Sequence, residues 1–402
     1  MNALLLATTA PDGSSPQQTG STNWSLRLCK VLQLGHEPTL VTTPPVQEPW
    51  IRQAAIPVLE HQPRQTGGRL RRVLTSLLQG VYPSIWTLHC PETSQYLRNL
   101  DPDAFDVCWL LDDYAGIYLR DIPQHLPTVL VRHYLFSMQN SFNPGNSPRS
   151  WIRGEYHRRT ARAFDRWTTQ RADIVTFGTQ ESCAFLRKTC PGNRVEYLPT
   201  KPSERPPPTT AEALGTATGP EGRLLAVYLA DMTFVRNADG ARWFLDEVLP
   251  AMPETLRRQY HFQFIGRKPD PAPNLGELPA GSSVEFAGFV DDLAASLHRA
   301  QVAFIPVFGG NGVRLKTLTL LGTGLPTVST PDALEGLDLA VGDDVLEATS
   351  AKDFVQALEK LQDAALRQNL SRNCLKAMDL YLGEKEDAAR VLELSRSIAH
   401  CA

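Results

Sequence analysis

The 402-residue chain contains no apolar run close to the roughly 18 residues that a membrane-spanning helix requires. Its opening, MNALLLATTAPDG, carries no basic residue ahead of a short apolar stretch, so it reads as a first buried strand and not as a secretion signal. The seven cysteines, at 29, 90, 108, 183, 190, 374 and 401, form neither a CxxC pair nor a zinc-ligand spacing. That favours inert thiols in a reducing compartment over a disulfide framework or a structural metal. No Ser-His-Asp arrangement is evident. Net charge is only −3, but residues 1–200 sum to +4 and the remainder to −7. Such an asymmetry fits an anionic partner for the first half, or two domains with different surfaces.

What the chain does have is proline, 31 residues of it. Six fall between Leu198 and Arg223, among Thr, Ala and Gly, in the composition of an exposed linker. The expected organisation is a first domain over 1–200, a Pro-rich linker over 201–222 and a second domain over 223–380. A C-terminal helix follows over 381–402, with a return to the first domain left open. At this length two or three domains are the arithmetic expectation.

Both halves alternate short β-branched apolar runs with helix-length segments. ALLLAT, TLVTT, FDVCWLL, TVLVRH and DIVTFGT are the predicted strands of the first half; RLLAVYLA, HFQFIG, SVEFAGF, VAFIPV and PTVST are those of the second. Strands apolar on both faces and joined by helices are parallel strands, so the fold class is α/β, with two doubly wound Rossmann-like domains facing a cleft. Ligands in such folds sit beyond the carboxyl ends of the strands. Between Trp151 and Asp173 the spacing of Ile152, Tyr156, Ala163 and Trp167 predicts one packed helix face, with a basic face opposite.

The most specific segment is VAFIPVFGGNGVRLKTLTLLGTGLPTVST, from Val302 to Thr330. A buried strand is predicted to end at Val307, followed by a glycine-rich turn at Gly309, Gly310, Asn311 and Gly312 and a helix starting near Val313. Glycines allow close backbone approach, and the first amides of a helix lack internal partners, so the turn offers donors to an anion. Arg314 and Lys316 add positive charge, which makes a diphosphate the expected guest. Leu315 stands where a GxGxxG fingerprint needs its third glycine, which argues against a dinucleotide dehydrogenase. A tight connection with two solvated helix charges is the plainer alternative.

The segment GGNGVRLKTLTLLGTGLPTVST resembles the retaining nucleotide-sugar glycosyltransferases of the GT-B fold, in the large family 4 group. The likeness continues through YLADMTFVRNADGARWFLDEVLP, HFQFIGRKP, SVEFAGFVDDL and TPDALEGL, covering roughly 223–345, and is looser in the first half. It implies that Gly310, Asn311, Gly312 and Val313 hold the donor diphosphate, with Arg314 and Lys316 as catalytic cations beside it. It implies that Gly266 and Val290 line the base pocket, that Arg236 reaches the phosphates and that Gly20 and Ser21 face them. His133 falls where members carry a histidine near the transferred sugar. Glu335 is placed near the donor ribose or sugar.

Two departures stand out. Where the family has two glutamates eight positions apart, this chain has Asn311 and Thr319, and a hydroxyl at Thr319 cannot accept two ribose hydrogen bonds as a carboxylate does. Asp231 occupies a position where many members have an arginine or a small residue. Without the resemblance, His133 also reads as a core histidine, and the Asp112 and Asp113 pair reads either as acceptor-binding or as an ordinary strand-end loop. The expected activity is metal-independent hexosyl transfer from a nucleotide diphosphate sugar to a hydroxyl, with retention and no cofactor. A glycan, a lipid-linked molecule or a protein is the expected acceptor.

The alternatives are a non-catalytic GT-B binding subunit and a sugar-nucleotide epimerase. The arginines of 64–72 and 149–171 suit anionic lipid headgroups, another anionic acceptor or plain solvent. Nucleic acid is not expected, because aromatic interleaving is missing. The expected location is cytoplasmic, peripheral to the inner membrane face.

Overall fold

The structure is a computed structural model and describes residues 1–8, 20–42, 49–61, 88–101, 103–138, 148–202, 207–268, 277–309, 312–382 and 384–399. The chain divides into two compact units. One comprises Met1–Ser203, Gly310–Gly312 and Glu384–Ala402; the other comprises Glu204–Gly309 and Val313–Gly383.

In the first unit seven parallel strands run β1 (Asn2–Ala7), β2 (Glu37–Thr42), β3 (Val58–Glu60), β4 (Val107–Leu110), β5 (Thr128–Arg132), β6 (Ile174–Phe177) and β7 (Arg194–Tyr197). Their order is β3-β2-β1-β4-β5-β6-β7. The helices α1 (Gly20–Gln33), α2 (Pro49–Gln53), α3 (Pro91–Arg98), α4 (Pro148–Arg171) and α5 (Gln180–Thr189) join them. Alternate strand residues feed two cores. Leu4, Cys108 and Leu130 pack with Ala161 and Phe164 of α4 on one face, whereas Leu5, Trp109 and Val129 pack with Trp24 and Leu28 of α1 on the other. A sheet buried on both faces accounts for the unbroken apolar runs.

The second unit has six strands, β8 (Leu224–Leu229), β9 (Tyr260–Ile265), β10 (Val284–Gly288), β11 (Val302–Ile305), β12 (Thr327–Ser329) and β13 (Leu346–Glu347), in the order β10-β9-β8-β11-β12-β13. Its helices include α6 (Ala211–Gly215), α7 (Val235–Trp243), α8 (Leu293–His298), α9 (Leu315–Gly322), α10 (Ala351–Lys360) and α11 (Ala364–Tyr381). In both sheets the order reverses beside the first strand, between β1 and β4 and between β8 and β11. Crevices at such switch points are where doubly wound folds bind ligands. The predicted fold class of two doubly wound α/β units is therefore what the chain adopts.

The last helix, α12 (Glu384–Ala399), belongs to the first unit, where Ser395 accepts the Trp109 indole N–H at 3.1 Å. Asp387 of this helix sits buried between two cations. It accepts from Arg27 at 2.7 Å and from Lys201 at 2.5 Å, while Arg27 also donates to the Pro202 carbonyl at 3.0 Å. Removing one member of a buried ionic cluster costs on the order of 3–5 kcal/mol. Asp387→Ala is accordingly expected to lower unfolding stability by about that amount in a urea titration. An unshifted midpoint would contradict the role given to the cluster.

Three sequence expectations change in detail. Residues 207–222 are not free linker. Leu214 of α6 is buried in the second core, and the Thr209 amide donates to the Thr323 carbonyl at 2.8 Å. The Pro-rich composition predicts an exposed linker, but the apolar Leu214 gives the stretch an anchor. The strand predicted to reach Val307 ends at Ile305, ahead of Pro306, which has no ladder N–H to give. The packed face of α4 is Ala161, Phe164, Asp165, Thr168 and Thr169; of the predicted residues Trp167 packs half-buried on the same core and Tyr156 is half-buried, but Ile152 and Ala163 are exposed. Asp165 is buried because Arg132 of β5 reaches it at 2.8 Å and also donates to Thr168.

Candidate functional site

At the carboxyl edge of the second sheet, backbone segments approach more closely than side chains would allow. Gly266 follows β9 with φ +125°, and a Cβ there would stand 2.0 Å from the Ala230 carbonyl oxygen. A Cβ on Gly240 would stand 1.8 Å from the Pro306 carbonyl oxygen, so α7 lies directly against the chain leaving β11. Glycine is required at both places. These contacts bring the ends of β8, β9 and β11 together with α7.

The start of α9 differs from the expectation near Val313. Gly312 has φ +94° and Arg314 is extended, which delays the first helical residue to Leu315. The first turn closes with the Thr317 amide donating to the Arg314 carbonyl at 2.9 Å. Gly310 and Asn311 lie outside the described residues. Gly312 is buried and Val313 half-buried just ahead of the helix, so any amides they offer belong to the turn and not to α9 itself.

Arg314 laces this turn to the loop after β12. Its guanidinium donates to the Gly309 carbonyl at 2.7 Å and to the Asp332 carbonyl, with the Glu335 carboxylate 3.8 Å away. Asp332 in turn accepts the Gly309 amide at 2.7 Å. Burial draws the Arg314 pKa below its ordinary value, against the opposing pull of Glu335 and Asp332. Glu335 is thus held on an arginine beside the turn.

Lys316, one residue into α9, is held differently. Its ammonium donates to Asn237 Oδ1 at 2.5 Å and to the Tyr228 hydroxyl at 3.3 Å, and it lies 5.1 Å from the centre of the Tyr228 ring. Asn237 is fixed by donating from Nδ2 to the Asp231 carbonyl at 2.8 Å. No carboxylate pairs with Lys316 among the described residues. Burial, together with the nearby Arg314 charge, pushes the Lys316 amine down to about 7. A second cation, Arg236 on α7, has no hydrogen bond or ion pair among the described residues, and its charge adds to the depression of Arg314. The cluster of Arg314, Lys316 and Arg236 therefore holds more positive charge than its neighbours balance, which is the condition for binding an anion.

The other second-unit candidates surround this cluster. Val290 is half-buried just past β10, where Gly288 accepts the Gly266 amide at 2.8 Å. Thr319 donates its hydroxyl to the Leu315 carbonyl at 2.9 Å, an internal helix bond. Asp231, which departs from the family pattern, pairs with Arg267 after β9 and caps Thr233. Tyr228, Asn237, Asp332 and Arg267 carry no motif of their own in the sequence. Their only signal was position, immediately in or after strands that end at the switch point.

In the first unit the two carboxylates after β4 have separate tasks. Asp112 is buried and accepts from the Thr8 amide at 2.8 Å, the Thr8 hydroxyl at 2.7 Å and the Ala115 amide at 2.8 Å. It joins β1 to β4 across the switch point, so the acceptor-binding reading does not hold for it. Asp113 turns to His133, accepting its backbone amide at 3.1 Å and standing 3.0 Å from its Nδ1. The His133 Nε2 atom is buried and has no hydrogen-bond partner among the described residues. A carboxylate on Nδ1 fixes the proton there and leaves Nε2 to accept a hydrogen bond in the neutral ring. Beside it the Tyr134 hydroxyl donates to Tyr114 at 2.9 Å, and burial raises the Tyr134 pKa well above its ordinary value. Gly20 is the first residue of α1; the side chain of Ser21, which follows it, lies outside the described set.

Residues 223–364 match the family model described as Glycosyl transferases group 1. Solved structures with the same fold include Alr3699/HepE of Anabaena in complex with UDP, at TM-score 0.61 and 12% identity over 99% of this chain and 100% of that one. Sucrose-phosphate synthase from Thermosynechococcus elongatus gives TM-score 0.66 and 13% identity over 100% of both chains. WaaG, a glycosyltransferase involved in lipopolysaccharide biosynthesis, gives TM-score 0.58 and 16% identity over 96% of this chain and 98% of that one. No curated protein matches the sequence significantly. The expected resemblance to GT-B glycosyltransferases is borne out, and the fold of this chain is theirs.

Proposed function

We propose that this chain, whose second unit carries a group 1 glycosyltransferase domain, moves a hexosyl group from a nucleotide diphosphate sugar to an acceptor hydroxyl with retention. The observation that carries the reading is Lys316, a half-buried lysine whose amine has no carboxylate partner among the described residues, set at the switch-point crevice beside Arg314 and Arg236. In the transfer, the acceptor oxygen bonds to the anomeric carbon as the bond from that carbon to the diphosphate oxygen breaks. The diphosphate leaves with the electron pair, and the acceptor proton goes to the departing phosphate oxygen. Fixed cations aimed at the developing charge lower the barrier without a divalent metal or a cofactor. HepE is described in complex with UDP-glucose, which supports a UDP-linked donor here. The acceptor is a glycan, a lipid-linked molecule or a protein. The lipid-linked option brings with it a peripheral station on the anionic inner membrane face.

Thermal shift against UDP, GDP, ADP and their sugar conjugates, in EDTA, tests the reading. Stabilisation by a diphosphate and weaker stabilisation by the matching monophosphate is the expected result. No stabilisation by any of them would favour a non-catalytic role instead.

The pH dependence of binding has a definite sign. With its pKa near 7, the Lys316 amine of the empty site is charged below that pH and neutral above it, so an anion that pairs with it above 7 must bring a proton. Between pH 7.5 and 9 the affinity for UDP is expected to fall, by up to about tenfold per pH unit. Calorimetry across that range checks it, and a flat profile would show that Lys316 does not change protonation on binding.

A further inference from the structure

The 24-residue helix α4 buries only one side, and its exposed side has an ordered chemistry that neither core nor crevice uses. At its N-terminal end Trp151 and Ile152 are 57% and 62% exposed, an unusual station for two large apolar side chains. Along the same side follow Arg158, Arg159, Arg162 and Arg166, all exposed. Arg158, Arg162 and Arg166 are four residues apart and so form one row, with Arg159 alongside. Glu155 is the one acidic residue on that side, and it pairs with both Arg158 and Arg159. The other carboxylate of the helix, Asp165, is buried on Arg132 and contributes nothing outward. From Trp151 to Arg166 the face is about 22 Å long, an apolar end followed by a basic row.

We infer that this face of α4 docks on an anionic lipid bilayer, with Trp151 and Ile152 entering the headgroup boundary and the arginine row lying on lipid phosphates. Three features select a membrane over other anions. The apolar pair is grouped at one end, as partial insertion requires, and tryptophan is the side chain that favours the interfacial depth. The helix carries arginines and no lysine, and the planar fork of arginine pairs with phosphate through two hydrogen bonds. Along the exposed arginine row no aromatic side chain is interposed, as stacking on nucleic acid bases would need, since Phe164 is buried and Tyr156 and Trp167 are half-buried. The inference rests on the peripheral-membrane part of the proposed function, and it needs no transfer activity to be true.

Co-sedimentation of the full chain with phosphatidylcholine vesicles, with and without about 30% phosphatidylglycerol, tests it. Binding to the anionic vesicles alone is expected, declining as salt rises. Arg162→Glu with Arg166→Glu is expected to lower the partition coefficient at least about tenfold, because each basic charge near an anionic surface contributes severalfold. Trp151→Ser with Ile152→Ser is expected to release the protein without shifting its thermal midpoint, since both side chains are exposed. Nitroxide-labelled lipid is expected to quench part of the tryptophan emission, and that part is expected to vanish in Trp151→Phe.

Equal vesicle binding by wild type and the charge-reversed variant would overturn the inference. So would retention on heparin or RNA by this face without binding to any vesicle. UDP binding, measured on the same preparations, is expected to be unchanged in all these variants. If the wild type bound vesicles but no nucleotide, the transferase reading would fail and the docking face would stand.

Discussion

Lys316→Met is expected to lower kcat/KM for donor turnover by about 10²–10³-fold, the loss typical of one preorganised group on a developing negative charge. The same substitution leaves thermal stability unchanged or raises it. A buried cation without a counter-charge is a liability to folding, and methionine fills a similar volume with no charge to desolvate. Activity and stability therefore move apart, which a merely structural lysine could not produce. Arg314→Ala is expected to lose both, because its guanidinium also ties Gly309 to Asp332. Comparing the pair by steady-state kinetics and thermal melts separates a group that serves the ligand from one that also holds the loop. Normal turnover by Lys316→Met would remove it from the mechanism.

Asp113→Asn is expected to lower kcat by about 10²-fold with a small change in donor KM. The asparagine amide can donate to Nδ1 of His133, which drives the ring proton to Nε2 and turns that buried acceptor into a donor. The carbonyl oxygen of asparagine, in the place of Oδ1, can still accept the His133 amide, which Asp113 Oδ1 now accepts at 3.2 Å. Fold and substrate affinity are thereby preserved while the tautomer is reversed. Nitrogen NMR of the labelled protein gives a readout independent of turnover: Nδ1 protonated in the wild type, Nε2 protonated in the variant. His133→Ala is expected to match the kinetic loss, and an Asp113→Asn enzyme with wild-type kcat would show that the tautomer is irrelevant.

The legible and illegible parts of this chain divide along a physical line. Central strands were readable because β1, β4, β5, β8 and β11 are buried on both faces and need unbroken apolar runs. Edge strands β3, β7 and β13 were not, being short and only half-buried, without that signature. The turn before α9 was visible as glycines followed by Arg314 and Lys316. What Lys316 touches was not visible, since Asn237 and Tyr228 lie 79 and 88 positions away and only the sheet order brings them near. The face of α4 was misjudged for a similar reason. Asp165 and Thr168 look like surface residues until Arg132, 33 and 36 positions earlier, is seen to bury them. Adjacent Asp112 and Asp113 look equivalent in sequence, and only the neighbouring strands assign one to Thr8 and the other to His133.

The central claim, that the turn and first residues of α9 bind a nucleotide diphosphate through Lys316 without metal, comes down to one calorimetric titration. UDP is titrated into wild-type protein and Lys316→Met at pH 7, both in EDTA. A single site in the wild type and an affinity at least about tenfold weaker in the variant are expected. Equal affinities would contradict it.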